Sequence, residues 1–435
     1  FYISIVQKKK MIYNFRNLVN LSARKFKKRD FLICADSKQN NLSFENTKKF
    51  VDKFDLFLSK NSIEFKDKIL VIMHNSNLLT LLFLSIISNF RIFVPINPKA
   101  SLSEVKYIIN QTNPKLFICD KIYADKFKNI FFKNKTRKIF IKNEKYFINK
   151  ILSFKFFKMK KNLIKLKKNF VSEILFTSGS TGKPKGVVYS HRSSVLHSLV
   201  IGHPNSVNIS ERDVVQYAVP MFHANGWGMP YAAALAGAAQ VFSDRFLDPD
   251  HLASLLDDQG VTTVAGVPTV WIPLLNYLQS TGKRLPKLTH IYCGGSAAPP
   301  SLILGYREIG IQMIHAWGMT EMSPIGTISR LKSTMDSLPV EKQDEALFKQ
   351  GTIVPTVECR IIDLDSGDEL PWDGEQFGEL QVRGPYVTGK YYDDIEQEDK
   401  ELIDTIEMTQ RPHHGEDVKS YFGKDSPLFV RAIKV

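Results

Sequence analysis

Apolar positions alternate between two spacings through the first third of the chain. Across 44–58 they recur at helical intervals, at Phe50, Val51, Phe54, Phe57 and Leu58, which predicts an amphipathic helix. Short unbroken apolar runs at 68–73, 92–95 and 115–119 read as strands, and the patterns at 78–87 and 102–111 between them read as helices. Strands separated by helices of that length imply βαβ units and a parallel sheet. The stretch 124–169 mixes Lys and Phe with little punctuation and predicts no element. From 173 the pattern sharpens into a strand at 173–176, a Ser/Thr/Gly loop, a strand at 186–189 and a helix starting near His191. Further strands are predicted at 214–219, 240–242, 263–265, 291–293 and 312–315. The runs at 357–363 and 378–383 read as strands of a more antiparallel subdomain, and 393–435 is polar, turn-rich and aperiodic.

Composition narrows the class. A chain of 435 residues exceeds one compact core, so two or three domains are expected. With 43% apolar and 24% charged residues it is neither collagen-like, nor a disulfide framework, nor wholly disordered. The net charge of +15 is uneven: residues 1–170 hold 37 basic and 11 acidic side chains, whereas 171–435 hold 22 and 33. All 24 glycines lie in the second segment and 22 of the 30 phenylalanines in the first. A basic arm for nucleic acid or membrane is one reading of this split. The lysines are scattered among apolar runs rather than gathered on one face, which favours compositional bias and no nucleic-acid partner. A join of two sources near 170–173 is the third reading.

Cys34, Cys119, Cys293 and Cys359 are far apart, with no C-x-x-C pair and no local His, so neither a zinc site nor a disulfide is expected. The short apolar stretch at the start precedes its lysines, unlike a signal peptide, and Met11 is a candidate initiator. The most apolar run, 78–87, is far short of the ~20 residues that cross a bilayer. A cytoplasmic protein with no integral membrane segment is expected.

The most informative segment is Thr177-Ser178-Gly179-Ser180-Thr181-Gly182-Lys183-Pro184-Lys185-Gly186. Hydroxyls, glycines and lysines between two strands suit a polyphosphate: the glycines admit close backbone approach, N–H and O–H groups donate, and Lys185 offsets charge. The spacing is not that of a Walker loop. A flexible connector explains any five of these residues, but poorly explains all ten directly after an apolar strand.

This stretch resembles the phosphate-binding signature of the adenylate-forming (AMP-binding) superfamily, which includes acyl-CoA synthetases, firefly-type luciferases and peptide-synthetase adenylation domains. Other motifs follow in the family's order: Pro220-Met221-Phe222-His223-Ala224-Asn225-Gly226-Trp227, Gly294-Gly295-Ser296-Ala297, Trp317-Gly318-Met319-Thr320-Glu321, and Gly378-Glu379-Leu380-Gln381-Val382-Arg383-Gly384. The resemblance covers roughly 14–392 and is dense over 173–392. It implies an α/β fold, a multilayer large domain over 14–354 with two sheet-based subdomains, a β-rich subdomain over 355–392, and an unassigned tail over 393–435.

The resemblance also implies a site. Thr177, Ser178, Gly179, Ser180, Thr181, Gly182 and Lys185 would cradle the phosphates of ATP, and Gly294, Gly295, Ser296 and Ala297 would border adenine. Trp317, beside Gly318 and Met319, can stack on the purine. Thr320 would donate to the α-phosphate, while Glu321 and Thr181 would hold Mg²⁺ with hard oxygen ligands. Taken singly, Trp317 also fits a core tryptophan and Glu321 a solvated surface residue. His223 would line an incoming carboxylate, although a core histidine is its other reading. Thr181, Lys185, Thr320, Glu321 and His223 form the implied catalytic set.

Trp227, Gly266, Val267 and Pro268, with the rest of 265–271 and the small residues at 232–234, would line an apolar tunnel. No charged residue stands out there to meet an α-amine, so a small-molecule fatty or other apolar carboxylic acid is the implied substrate. The implied reaction is acyl-adenylate formation from acid and ATP, then thiolysis by coenzyme A. An adenylating enzyme with another acceptor, or a non-catalytic ATP- or acyl-binding remnant, are the alternatives. After Tyr392 the family's pattern stops: no Thr-Gly-Asp triplet, hinge segment or small C-terminal domain follows. A truncated chain with an impaired full reaction, and a frameshifted or spliced-in tail, is the expectation.

Overall fold

The computed structural model describes residues 14–132, 135–155, 170–177, 183–389 and 391–392. The expectations placed on 1–13, on Ser178, Gly179, Ser180, Thr181 and Gly182, and on 393–435 lie outside the described residues. Within them the strands form sheets of nine, six and three strands.

The six-stranded sheet runs in the spatial order Arg137–Ile141, Leu116–Asp120, Lys68–Ile72, Ile92–Pro95, Val171–Thr177, Lys185–Ser190. Its pairings are parallel except the last, an antiparallel hairpin around the hydroxyl-rich loop. The nine-stranded sheet runs Thr352–Ile353, Ile325–Ile328, Gln312–Gly318, His290–Cys293, Thr263–Gly266, Val214–Tyr217, Ala239–Val241, Asp30–Ile33, Leu42–Ser43. The small sheet is antiparallel, with Glu358–Ile362 between Glu369–Leu370 and Glu379–Arg383.

Strand alternation explains how these sheets stack. Ile69, Val71, Leu116 and Ile118 join one core with Val215, Tyr217, Ala265, Tyr292 and Ile314 of the larger sheet. The helices Phe15–Phe26, Phe44–Lys60, Asn77–Ser88 and Met229–Ala236 contribute to that same core, so they fill the space between the two sheets. The alternate residues Leu70, Ile72, Phe117 and Cys119 face a second core with the helix Leu102–Thr112. Val264, Ile291 and Met313 face a third with the helices Pro249–Asp258, Pro268–Thr281 and Pro300–Glu308. Period-two side chains on strands covered on both faces require near-continuous apolar runs, the pattern seen in the sequence. The central helix Asn77–Ser88 is buried at every position from Leu78 onward, with Ser76 capping its Leu79 N–H.

One difference from the sequence reading has a physical cause. The unassigned 124–169 stretch contains an edge strand, Arg137–Ile141, and a helix, Glu144–Leu152. The strand's first residues, Arg137 and Lys138, are exposed, so alternation is masked by the charges that protect an edge. The compositional break near 170 is not a structural break. Asp30–Ile33 pairs with Ala239–Val241, and Ile92–Pro95 pairs with Val171–Thr177. None of the four cysteines is in a disulfide, and no helix among the described residues is long and apolar enough to cross a membrane.

Candidate active site at the strand carboxyl ends

Four neighbouring parallel strands of the large sheet place the candidate segments side by side. The His223 and Trp227 segment follows Val214–Tyr217, and Gly266 ends its strand just before Val267 and Pro268. Gly294 to Ala297 follow His290–Cys293, and Trp317 to Glu321 close Gln312–Gly318. Loops at the carboxyl ends of adjacent parallel strands form the crevice in which open α/β sheets take ligands.

Glycines let these loops converge. A Cβ on Gly294 would stand 2.6 Å from the Ala316 carbonyl oxygen and 3.1 Å from the Trp227 ring. One on Gly295, which has φ +75°, would stand 3.1 Å from the Val267 side chain. Trp227, Val267, Gly294 and Gly295 therefore share one surface, with Gly295, Ser296 and Ala297 exposed beside them. At Gly318 a Cβ would meet the Pro324 carbonyl oxygen at 1.9 Å, because Met319 N–H donates to that same oxygen at 3.0 Å. Only glycine fits this fold-back.

The Thr320–Met322 turn is buried, and tyrosines tie it to the strand leaving the hydroxyl-rich loop. Tyr189 Oη donates to the Thr320 carbonyl at 2.6 Å. Tyr391 Oη donates to Glu321 Oε1 at 2.8 Å, and Thr388 N–H donates to the Glu321 carbonyl at 2.7 Å. Lys185 Nζ lies 5.0 Å above the Tyr391 ring, and Tyr391 bridges to Val187. Gly186 permits the crossing, since a Cβ there would stand 3.0 Å from the Tyr392 side chain. Thr177 and Lys185, which bracket the loop, are joined by a 3.4 Å bond from Thr177 Oγ1 to the Lys185 carbonyl. The strand leaving the loop and the Thr320–Glu321 turn are therefore held side by side.

Other candidates occupy less simple positions. Trp317 is half-buried, packed against Gly326 and against the Ile361 and Leu380 cluster of the small sheet, so part of its ring is committed to the fold. His223 precedes a short turn and is exposed, and partial desolvation by its surroundings lowers its pKa. Gly266 and Pro268 are buried. Trp271, assigned to the tunnel wall from sequence, is fully buried in the core behind the sheet, where a Cβ on Gly266 would meet its ring at 2.6 Å. The residues at 232–234 are also core, packed in the helix layer between the sheets. Both sets are therefore committed to core packing, 232–234 between the sheets and Trp271 behind the larger one.

The sequence reading missed Tyr189, Thr388, Tyr391 and Asn75. Asn75 Nδ2 donates to Val219 O at 2.7 Å and Tyr217 O at 3.3 Å, and its Oδ1 accepts from Met221 N–H at 2.8 Å. One side chain from the smaller sheet thus pins the segment leading to His223. The available signal was the polar run His74-Asn75-Ser76-Asn77 directly after an apolar strand.

A profile of the family described as AMP-binding enzyme matches residues 19–392. The chain is 39% identical over 297 residues to a long-chain-fatty-acid–CoA ligase of Thermus thermophilus, covering 68% of this chain and 55% of that one. It is 44% identical over 227 residues to a medium-chain-fatty-acid–CoA ligase of Ectopseudomonas oleovorans, covering 52% and 41%. Against a 3-methylmercaptopropionyl-CoA ligase of Ruegeria lacuscaerulensis it is 43% identical over 236 residues, covering 54% and 43%. The chain spans about half the length of the curated relatives it matches. Among solved structures, the N-terminal domain of FACL13 from Mycobacterium tuberculosis superposes with a TM-score of 0.75 at 18% identity, covering 89% of this chain and 93% of that one. A long-chain-fatty-acid–CoA ligase from Archaeoglobus fulgidus gives 0.73 at 20% identity, covering 92% and 80%. At those identities the likeness is one of fold.

Proposed function

Because the chain belongs to the AMP-binding enzyme family, we propose that it activates an apolar carboxylic acid with ATP and passes the acyl group to the thiol of coenzyme A. The observation that supports this reading is the link from Lys185 through Tyr391 to Glu321, which brings a lysine flanking the loop and a buried carboxylate to one tyrosine. The first step is displacement at the α-phosphorus: a carboxylate oxygen forms the new P–O bond and pyrophosphate leaves with the old one. Such a step needs alignment and charge compensation more than a proton-transfer group.

In this reading Thr177 to Gly182 and Lys185 bind the phosphates, and the Thr320 hydroxyl donates to the α-phosphate. Gly294 to Ala297 and Trp317 to Met319 receive the adenine. Glu321 and Thr181 supply carboxylate and hydroxyl oxygens, a donor set that suits Mg²⁺, whose charge would offset that of the phosphates. The buried position of Glu321 and the Tyr391 bond that orients it support that fit. His223, exposed, meets the acid's carboxylate as a hydrogen-bonding group, and Trp227, Gly266, Val267 and Pro268 meet its apolar part.

The acid class is supported by the apolar segment beside Gly294–Gly295, and by relatives named for long-chain, medium-chain and methylmercapto acids. Acid-dependent pyrophosphate release by the purified chain, followed by acyl-CoA formation, tests the two half-reactions separately. MgATP binding with no adenylate at stoichiometric enzyme concentration would establish a binding protein instead. Adenylate without CoA-dependent turnover would point to another acceptor.

A further inference from the structure

Away from the nucleotide and acyl residues, the fold gathers one imidazole and two carboxylates that no step above uses. The ligand atoms of His74, Asp120 and Glu144 all lie within 4.8 Å of one another. Topology explains the meeting. His74 follows the strand Lys68–Ile72, Asp120 ends Leu116–Asp120, and Glu144 opens the helix after Arg137–Ile141. These strands are adjacent and parallel, so their carboxyl ends deliver all three side chains to one edge. The chain also changes direction at this edge. From Lys68–Ile72 it passes to Ile92–Pro95 on one side, then crosses to Leu116–Asp120 on the other. The gap between Lys68–Ile72 and Leu116–Asp120 is thus the sheet's topological switch point, a preferred place for ligands.

We propose that His74, Asp120 and Glu144 bind a divalent transition-metal ion of the Zn²⁺ or Mn²⁺ class. An imidazole nitrogen with two carboxylate oxygens suits these ions, whereas Mg²⁺ takes oxygen almost alone. His74 Nδ1, itself buried, faces Asp120 Oδ2 at 3.3 Å, so the imidazole and the nearer carboxylate already converge. Each partner is held from behind. Ile122 N–H donates to Asp120 Oδ1 at 3.1 Å, leaving Oδ2 toward the imidazole, and Ser76 Oγ donates to Glu144 Oε1 at 2.7 Å. On the far side of the ring, Asp244 Oδ1 stands 3.7 Å from His74 Nε2, the place of the outer carboxylate that orients a metal-bound histidine.

Charge and distance both favour a cation. Asp120, Glu144 and Asp244 act on one imidazole, and Asp36 and Arg245 are the further charges felt at this edge. Four carboxyl groups stand against one guanidinium and one imidazole here, an acidic surplus that a divalent ion would offset. Bonds of about 2.1 Å place tetrahedral ligands roughly 3.4 Å apart, so side-chain shifts of about an ångström close the shell. Asp244 is more than half exposed, which gives the ion a route from solvent.

The test uses the full chain, stripped with chelator and free of nucleotide and acid, so its outcome is independent of the ligase reading. Titration with Zn²⁺ and with Mn²⁺ by calorimetry, and metal content after dialysis, are expected to show one ion per chain. Asp120→Asn and Glu144→Gln should each weaken binding at this site more than about 100-fold, and Asp244→Asn about 10–100-fold. Circular dichroism of the metal-free variants checks folding, and absorption at the zinc edge of the unsubstituted protein checks for an imidazole ligand without any substitution. Absence of saturable binding overturns the proposal, as does binding indifferent to the Asp120 and Glu144 substitutions. An edge spectrum lacking imidazole overturns it as well.

Discussion

Tyr391 holds Glu321: its hydroxyl donates to the buried carboxylate at 2.8 Å while its ring lies under the Lys185 ammonium at 5.0 Å. The two residues are 70 positions apart in the chain, and the contact joins the loop's exit strand to the Thr320–Glu321 turn. Replacing Tyr391 with Phe keeps the ring and removes the donor. A hydrogen bond to a charged group is worth about 1.5–3 kcal/mol. MgATP affinity, read by calorimetry, is therefore expected to fall about tenfold or more. Unchanged affinity would show that Glu321 needs no holding for nucleotide.

Gly318 is expected to tolerate no side chain. In Gly318→Ala the new Cβ meets the Pro324 carbonyl at 1.9 Å, a backbone atom that cannot rotate away, so the turn carrying Thr320 and Glu321 must shift. A loss of about 3 kcal/mol or more is expected from such overpacking. Gly202→Ala, where the nearest atoms are 3.7 Å away, is the control and should be near neutral. Urea midpoints of the two variants make the comparison.

Glu173 gives a pH dependence. Burial raises its carboxyl pKa to about 8, opposed by hydrogen bonds from Ser172 and Ser194, and Oε2 has no partner. The folded chain keeps this proton after the unfolded chain has released it. Its contribution is therefore fully present below the ordinary carboxyl range and is lost as pH rises from about 4.5 to about 8. Glu173→Gln removes that loss. Its melting temperature relative to the parent should climb across this interval and level off above it. A difference independent of pH would mean the carboxyl is ionised in the folded protein.

Asn75 is expected to matter to the acid more than to the nucleotide. Asn75→Ala leaves the Tyr217 and Val219 carbonyls and the Met221 N–H without its amide, at a cost of about 1–3 kcal/mol for a group left unpaired. The segment it pins leads to His223, so apparent affinity for the acid should weaken with that for ATP preserved. Asn75→Asp keeps the acceptor for Met221 but turns a carboxylate oxygen toward the Val219 and Tyr217 carbonyls, so it should not recover the loss. Equal effects on both substrates would count against a positioning role.

The sequence alone determined the local elements and the order of the chemistry. Apolar runs for strands buried on both faces, the hydroxyl-rich loop between Thr177 and Gly186, and the Trp317–Glu321 segment depend on neighbours in the chain, so periodicity and turn chemistry expose them. Only the tertiary structure decided that Trp271 and the residues at 232–234 lie in the core, since apolar wall and apolar core have the same composition. It also decided that Asn75, Tyr189 and Tyr391 reach the site, and that His74, Asp120, Glu144 and Asp244 meet at a strand edge. Those meetings depend on the spatial order of parallel strands and on the helices packed between two sheets. Hydrophobic burial sets both for the molecule as a whole, and burial is non-directional, so no single stretch of residues carries the instruction.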